Sequence, residues 1–488
     1  MNTPLRRVAI AVMLMIVALL LNATYVQVIK ADDYRTDPRN SRVLLDEYSR
    51  QRGQISAGGT VLANSVATED RYKYLRTYPS SPEAFAPVTG FYSMQYGSNG
   101  LERAEDSVLN GSDGHLFGSR LVDMVSGRDP RGGNVITTLD PAMQQVAYDQ
   151  LTSKGYTGSV VAIEPSTGRI LTMVSTPSYD PNQLSGHDGA RGTQTWEALS
   201  ADEKQPMLNR AVSQTYPPGS TFKVVVTAAA LANNIATPED QFTAAPNITL
   251  PGTSTTLENY NGSNCGGGQS ASLYEAFRLS CNTAFAELGV KVGAAKLKDQ
   301  AAAFGIGENR GIPIPVAEST VGTMPDNAAL AQSSIGQRDV ALTPLDNAVI
   351  AATVANGGVR MEPHLVDQLQ GPDLSELSKT KPVSLGQAFN AQVASSLTNL
   401  MIASEENTGG SRSSRYQIAS KTGTAEHGSN PRNTPPHAWY IAFAPAQNPK
   451  IAIAVIVENG GDRALGATGG KVAAPIARAV LDAGLRGG

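Results

Sequence analysis

Tyr216-Pro217-Pro218-Gly219-Ser220-Thr221-Phe222-Lys223, with the run Val224 to Asn234 behind it, decides how the rest of this sequence is read. Pro-Pro-Gly makes a rigid turn that cannot continue as helix, and Ser220 stands where a helix should start. From Thr221 to Ala232 the one charged residue is Lys223, so this helix is apolar nearly all round and belongs inside a large domain. Ser220 and Lys223 lie three apart, hence on one helical face. A hydroxyl is a poor nucleophile until a base takes its proton, and a lysine in apolar surroundings loses part of its preference for the charged form. The helix N-terminus adds N–H groups near the oxygen on which charge would develop. The plainer reading of the same residues is a helix cap with a lysine reaching for water. A second S-x-x-K, Ser378-Lys379-Thr380-Lys381, runs straight into Pro382 without an apolar helix and is expected to be a solvated loop.

A chain of 488 residues holds one large core and a smaller one. With 41% hydrophobic residues, 17% charged and a net charge of −4, the composition is that of a globular protein and gives no support for a nucleic-acid partner. Val8 to Val28 carries no charge over 21 residues, enough for a helix to cross a bilayer. Arg6 and Arg7 precede it and Asp32 and Asp33 follow, which places residues 1–7 in the cytoplasm as a short tail and everything after the 8–28 anchor outside. A cleaved signal peptide is the competing reading; no small-x-small site closes the apolar run, and Tyr25 suits a membrane interface. The two cysteines, Cys265 and Cys281, would share an oxidising compartment, where an even count suggests a disulfide; two reduced thiols, Cys281 buried and Cys265 exposed, is the alternative. Their C-x15-C spacing and the five scattered histidines form no metal-ligand pattern, so no metal and no cofactor is expected.

Residues 29–133 read as a first, non-catalytic region that is mainly β, with a strand-turn-strand from Arg52 through Gly58-Gly59 to Ala63. A larger domain, 134–488, begins with a β-run at Asn134 to Leu139 and a helix with Pro141 at its first position. Gly158 to Ile163 and Arg169 to Val174 form a hairpin about Glu164-Pro165-Ser166-Thr167-Gly168. Residues 251–270 are a Gly/Asn/Ser/Thr loop; its triple glycine follows no strand and is no phosphate cradle. Helical spacing at Ala271 to Leu279 delivers Ser280-Cys281-Asn282, and Ala284 to Phe304 and Pro344 to Ala355 are also helical. After a Gly/Ser/Arg loop at Thr408 to Ser414 come three β-runs, Ile418 to Ala425, Ala438 to Phe443 and Lys450 to Val457, and an amphipathic helix from Lys471 to Leu485. The expected class is α+β: one antiparallel sheet with helices packed on both faces, a smaller N-terminal β domain and one transmembrane helix.

Ser220-Thr221-Phe222-Lys223, Ser280-Cys281-Asn282 and Lys421-Thr422-Gly423 stand in order on a helix, a helix end and a strand. S-x-x-K, S-x-N and K-T-G together mark penicillin-binding proteins and serine β-lactamases. The whole chain resembles class B penicillin-binding proteins, the monofunctional peptidoglycan transpeptidases, and most closely their actinobacterial penicillin-binding protein A type. The resemblance is carried by Arg52, Gly53, Ile55, Gly59, Leu62 and Ala63; by Gly97, Gly100, Leu101 and Glu102; and by VVAIEPSTGRILTMVSTPSYDPN (160–182), LNRA (208–211), SIGQ (334–337), TPL (343–345), ANGG (355–358) and AWYIAFAP (438–445). Two departures stand out. Ala57-Gly58 replaces an Asp-Arg pair that usually makes a salt bridge, and Cys281 fills a position that is aspartate in many β-lactamases.

The resemblance implies a penicillin-binding/serine β-lactamase-like transpeptidase fold, a pedestal or docking role for the first region, and the following roles. Ser220 attacks the penultimate D-alanine of a stem peptide ending in D-Ala-D-Ala. Lys223 is its general base, and Ser280 shuttles a proton to the leaving amine. Asn282 binds substrate backbone and steadies Lys223, while Lys421 supplies positive potential. Thr422 and Thr424, flanking Gly423, bind the terminal carboxylate, and the backbone N–H groups of Ser220 and Thr424 form the oxyanion hole. β-Lactam antibiotics would acylate Ser220, and a separate membrane glycan polymerase with division or elongation proteins would be the partners. Three rivals are weighed. A β-lactamase needs a carboxylate-activated water, and the nearest acids, Glu275 and Glu287, lie on expected helices. A membrane-tethered β-lactam sensor needs further spanning helices, and no second run of 18 apolar residues exists. A D,D-carboxypeptidase differs only in using water for deacylation.

Overall fold

The structure, a computed structural model, describes residues 3–30, 48–116, 131–308, 311–408, 415–428, 430 and 433–486. Asp32, Asp33 and residues 409–414 of the Gly/Ser/Arg loop lie outside these. At the N-terminus the apolar run forms a helix, Thr3–Thr24, extended by a wider turn over Tyr25–Ile29, and none of its residues is buried against the other described residues. An exposed apolar helix of that length is consistent with a membrane anchor.

The larger half is built on a five-stranded sheet, wholly antiparallel, in the order Ala419–Ala425, His437–Ala444, Ile451–Val457, Gly158–Ile163, Ile170–Thr176. Gly158–Ile163, His437–Ala444 and Ile451–Val457 read as near-continuous apolar runs because both faces are covered. Val160 and Ala162 point into a core with Met143, Leu151, Val472, Ile476 and Val480 from the helices Pro141–Thr152 and Gly469–Arg486. Val161 and Ile163 point the other way, into a larger core with Val225, Leu345 and Leu397 from Lys223–Ala232, Pro344–Ala355 and Ala391–Asn407. Local signals set the helix starts. Asp140 Oδ1 accepts from the N–H groups of Ala142 and Met143, with Pro141 supplying the pre-set φ of the first turn. Thr343 caps the helix from Pro344 in the same way.

A second sheet has six strands, in the order Glu376–Lys379, Val366–Gln370, Asn134–Thr137, Ile55–Ala57, Thr60–Ala67, Tyr74–Thr77. The expected hairpin is its centre: Ile55–Ala57 runs antiparallel to Thr60–Ala67 through Gly58 and Gly59, both at positive φ (51° and 82°), a turn that glycine enters without strain. Three of its strands, Asn134–Thr137, Val366–Gln370 and Glu376–Lys379, lie beyond residue 133, so the sheet spans the boundary drawn there. The second S-x-x-K is corrected too. Ser378 and Lys379 end its exposed edge strand rather than lying in a loop.

Arg52 and Glu102, quoted from separate motifs, meet in the interior. Arg52 Nε donates to Glu102 Oε2 at 2.7 Å and Nη1 to Asp106 Oδ1 at 2.5 Å, while Arg76 Nε donates to Glu102 Oε1 at 2.6 Å. Burial alone would push the Glu102 carboxyl up, but the two guanidinium groups outweigh it and hold the group below its ordinary value. This pairing uses no group from Ala57 or Gly58. Two helices also differ from expectation. Ala284 to Phe304 is broken at Gly293 (φ 84°) into Asn282–Val292 and Ala294–Ala303. The helix expected from Ala271 begins at Leu273, because Ser270–Ser272 pairs with Gln241–Thr243 and Ser272 Oγ then caps the Glu275 N–H.

Candidate active site

Ser220 lies in a 3₁₀ turn, Gly219–Phe222, and the α-helix begins at Lys223. Phe222 occupies the cap position, so the Ser220 hydroxyl does not cap the helix; it sits partly exposed one turn earlier. The turn is held from three sides. Gly219 N–H donates to Gly336 O at 2.9 Å, Trp439 Nε1 donates to Pro217 O at 2.9 Å, and Thr221 Oγ1 lies 2.9 Å from Pro218 O and 3.2 Å from Asn347 Oδ1. Gly336 of SIGQ is at φ 72°, and a Cβ there would stand 2.1 Å from Gly219 O, so no side chain fits. Gly423 of K-T-G is constrained less severely: a Cβ would stand 2.9 Å from Pro218 O. Close packing of these glycines sets the Thr424 carbonyl 2.8 Å from where a Gly219 Cβ would be, so the end of the strand lies against the turn that carries Ser220. Thr422 and Thr424 are partly exposed, whereas Lys421 is fully buried.

The three motifs converge on Ser280. This residue ends the helix Leu273–Leu279 in the left-handed region (φ 64°, ψ 40°), a costly conformation for a residue with a Cβ. Both of its oxygens meet lysines. Lys223 Nζ donates to Ser280 O at 2.8 Å and lies 3.4 Å from Ser280 Oγ, and Lys421 Nζ donates to Ser280 Oγ at 2.8 Å. Lys223 Nζ also donates to Asn282 Oδ1 at 2.8 Å, and Lys421 Nζ to Thr422 O at 3.0 Å. Neither lysine has an acidic partner within ion-pair distance among the described residues. Burial, followed by the charge of Lys421, pushes Lys223 well below its ordinary value; burial alone brings Lys421 down to about 7.

Asn259 was missed at the level of sequence. It is buried in the Gly/Asn/Ser loop, and its Oδ1 accepts from the Asn282 N–H (2.8 Å) and Thr283 N–H (3.1 Å), capping the helix that starts at Asn282. Asn282 Nδ2 donates to Glu258 O at 2.9 Å, so its amide is oriented with the oxygen towards Lys223. Nothing distinguishes Asn259 from the other asparagines of that loop until the chain is folded. Cys265 and Cys281 are joined in a disulfide with a Cα–Cα distance of 5.8 Å, which ties the glycine-rich loop to the residue between Ser280 and Asn282. The acids considered for a hydrolytic role are engaged elsewhere. Glu275 Oε1 pairs with Arg278 at 2.5 Å, and Glu287 Oε2 accepts from Thr243 N–H at 2.7 Å.

Residues 158–482 match the penicillin binding protein transpeptidase domain, and residues 52–135 the penicillin binding protein A dimerisation domain. The chain belongs to the penicillin-binding protein transpeptidase family. It is 61% identical over 493 residues, spanning all of both chains, to a protein named peptidoglycan D,D-transpeptidase PbpA from Mycolicibacterium smegmatis. The protein of that name from Mycobacterium tuberculosis is 59% identical over 492 residues, again end to end. Among solved structures, the ceftriaxone acyl-enzyme of penicillin-binding protein A from M. tuberculosis superposes with a TM-score of 0.88 at 58% identity, covering 90% of this chain and 99% of that one. The penicillin G acyl-enzyme of the same protein gives 0.86, covering 89% and 100%.

Proposed function

We infer that this chain is a peptidoglycan D,D-transpeptidase, acylated by β-lactams, that joins stem peptides through an acyl-enzyme on Ser220. The observation that carries the reading is the meeting of the S-x-x-K and K-T-G lysines on the one S-x-N serine. In the first half-reaction the Ser220 oxygen bonds to the carbonyl carbon of the penultimate D-alanine and its proton passes to neutral Lys223. A lysine buried without a counter-ion is suited to that role because its neutral form is favoured. The carbonyl oxygen takes up the negative charge between the N–H groups of Ser220 and Thr424. Collapse breaks the C–N bond to the terminal D-alanine, whose nitrogen takes the proton of Ser280 Oγ, replaced in turn from the lysines that donate to it. Thr422 and Thr424 hold the terminal carboxylate, and Lys421 supplies positive potential beside Ser280. In the second half-reaction an amine of a neighbouring stem peptide attacks the ester, loses a proton along the same chain of groups and frees Ser220.

The helix over residues 3–29 tethers the enzyme, with the basic Arg6 and Arg7 end in the cytoplasm and the catalytic domain outside. The six-stranded sheet serves as pedestal, and a separate membrane glycan polymerase supplies the strands to be joined. Deacylation by an amine rather than by water is read out by products. Purified protein given a D-Ala-D-Ala stem peptide and an amine-bearing acceptor should release D-alanine and form the dimeric peptide. Hydrolysed monomer alone would assign carboxypeptidase chemistry instead.

A further inference from the structure

The strand Ala419–Ala425, which carries Lys421, Thr422 and Thr424, is the edge of its sheet and pairs on one side with His437–Ala444. An edge strand is held by half the usual ladder, yet Lys421 Nζ must keep its 2.8 Å contact to Ser280 Oγ. A carboxylate outside the three motifs meets this strand. Glu405, near the end of the helix Ala391–Asn407, has a side chain 15% exposed and accepts four hydrogen bonds. Its Oε2 receives the hydroxyls of Ser420 at 2.5 Å and Tyr440 at 2.7 Å. Its Oε1 receives Arg478 Nε at 2.9 Å and Nη2 at 2.7 Å. Ser420 immediately precedes Lys421, and Tyr440 is the register partner of Thr422. One carboxylate therefore grips the strand directly before Lys421 and, through the neighbouring strand, directly after it.

The same helix reaches the other side of the site. Asn407 Nδ2 donates to Arg278 O at 3.3 Å, two residues before Ser280. The last turn of this helix thus touches both segments whose side chains meet in the Lys421–Ser280 hydrogen bond. We propose that Glu405 is a positioning residue, its carboxylate holding the K-T-G strand at the spacing from Ser280 that acylation of Ser220 requires. The charge matters as well as the shape. Both Arg478 N–H groups converge on Oε1, a charge-assisted contact that leaves Oε2 facing two hydroxyl donors. The proposal rests on the reading of Ser220 as nucleophile.

The test uses the full chain in detergent micelles and a fluorescent penicillin, with the pre-covalent dissociation constant and the rate constant of the covalent step measured separately by stopped flow. In Glu405→Gln the covalent step should slow about tenfold or more, with the dissociation constant within about twofold of wild type, because displacement of a reacting group costs rate rather than binding. Ser420→Ala and Tyr440→Phe, which each remove one donor and keep the packing, should slow the same step by smaller factors. Asp482→Asn, which removes the acceptor of the Tyr416 hydroxyl on the terminal helix, should leave both constants unchanged. The proposal is overturned if Ser420→Ala and Tyr440→Phe both match wild type, or if Glu405→Gln shows fewer labelled molecules at an unchanged rate constant, the mark of a merely structural group. Absence of covalent labelling in the wild type would instead bring down the Ser220 reading, and this proposal with it.

Discussion

Replacing Lys421 with methionine should change how the stability of this protein depends on pH, in a direction set by burial. Lys421 is fully buried, and its ammonium lies beside Ser280 Oγ and Thr422 O with no carboxylate in ion-pair contact among the described residues. Desolvation lowers its pKa from 10.5 to about 7 in the folded chain. Between those values the unfolded chain holds a proton there that the folded chain has released. Stability therefore rises with pH across that window, by about 1.4 kcal/mol for each pH unit and to a ceiling of roughly 5 kcal/mol. Below about 7 both states are protonated and the cost of burying the charge is carried in full. Methionine has similar volume and no titrating group, so this contribution disappears. The buried tyrosines do not blur the range from pH 7 to 9, since Tyr78, Tyr216 and Tyr440 are all pushed up by burial and titrate in the unfolded chain only near pH 10. Urea unfolding of a chain lacking residues 1–30 would be followed by the fluorescence of its two tryptophans, Trp196 and Trp439, the second fully buried opposite Gly423. Wild type should gain on Lys421→Met by about 1.4 kcal/mol per pH unit between pH 7 and 9. Parallel curves over that range would refute the argument and mean that Lys421 stays charged in its buried site.

Lys223→Ala should slow β-lactam acylation at least about a hundredfold, the lower range for loss of a general base; an unchanged rate would make Lys223 structural. Gly336→Ala should slow acylation and lower the urea midpoint by an amount equivalent to about 1–3 kcal/mol, since its Cβ would overlap the Gly219 carbonyl; a fully active, equally stable variant would show that the turn does not need that contact. Reducing Cys265–Cys281, which closes a separation of 16 residues, should cost about 3 kcal/mol of stability without touching Ser220. Two free thiols in unreduced tryptic digests would end that expectation.

The sheet and its covering helices were legible because both their faces are buried. Gly158–Ile163, His437–Ala444 and Ile451–Val457 are apolar at nearly every position, and the stripe Val472, Ile476, Val480 and Leu481 lies where a period of 3.6 puts it. What sequence could not give was long-range pairing. Val366–Gln370 and Glu376–Lys379 are half-buried or exposed and polar, so nothing local says that they extend a sheet begun at Ile55. The same holds within the site. Ser220, Lys223, Ser280, Asn282 and Lys421 sit in motifs with recognisable spacing, whereas Asn259 and Glu405 act through contacts 23 and 15 residues away and carry no pattern. Placing Ser220 in a helix cap failed for a local reason. Gly219 at φ 53° starts a tighter 3₁₀ turn, which moves the first α-helical residue to Lys223.

The central claim is that Ser220 is the nucleophile, and intact-mass spectrometry of wild type and Ser220→Ala after incubation with penicillin G tests it most directly. Ring opening by Ser220 adds the whole antibiotic with no leaving group, so wild type should gain one penicillin mass per chain. Ser220→Ala, folded as judged by an unchanged near-UV spectrum, should gain none. Stoichiometric acylation of the alanine variant would contradict the account and place the nucleophile elsewhere.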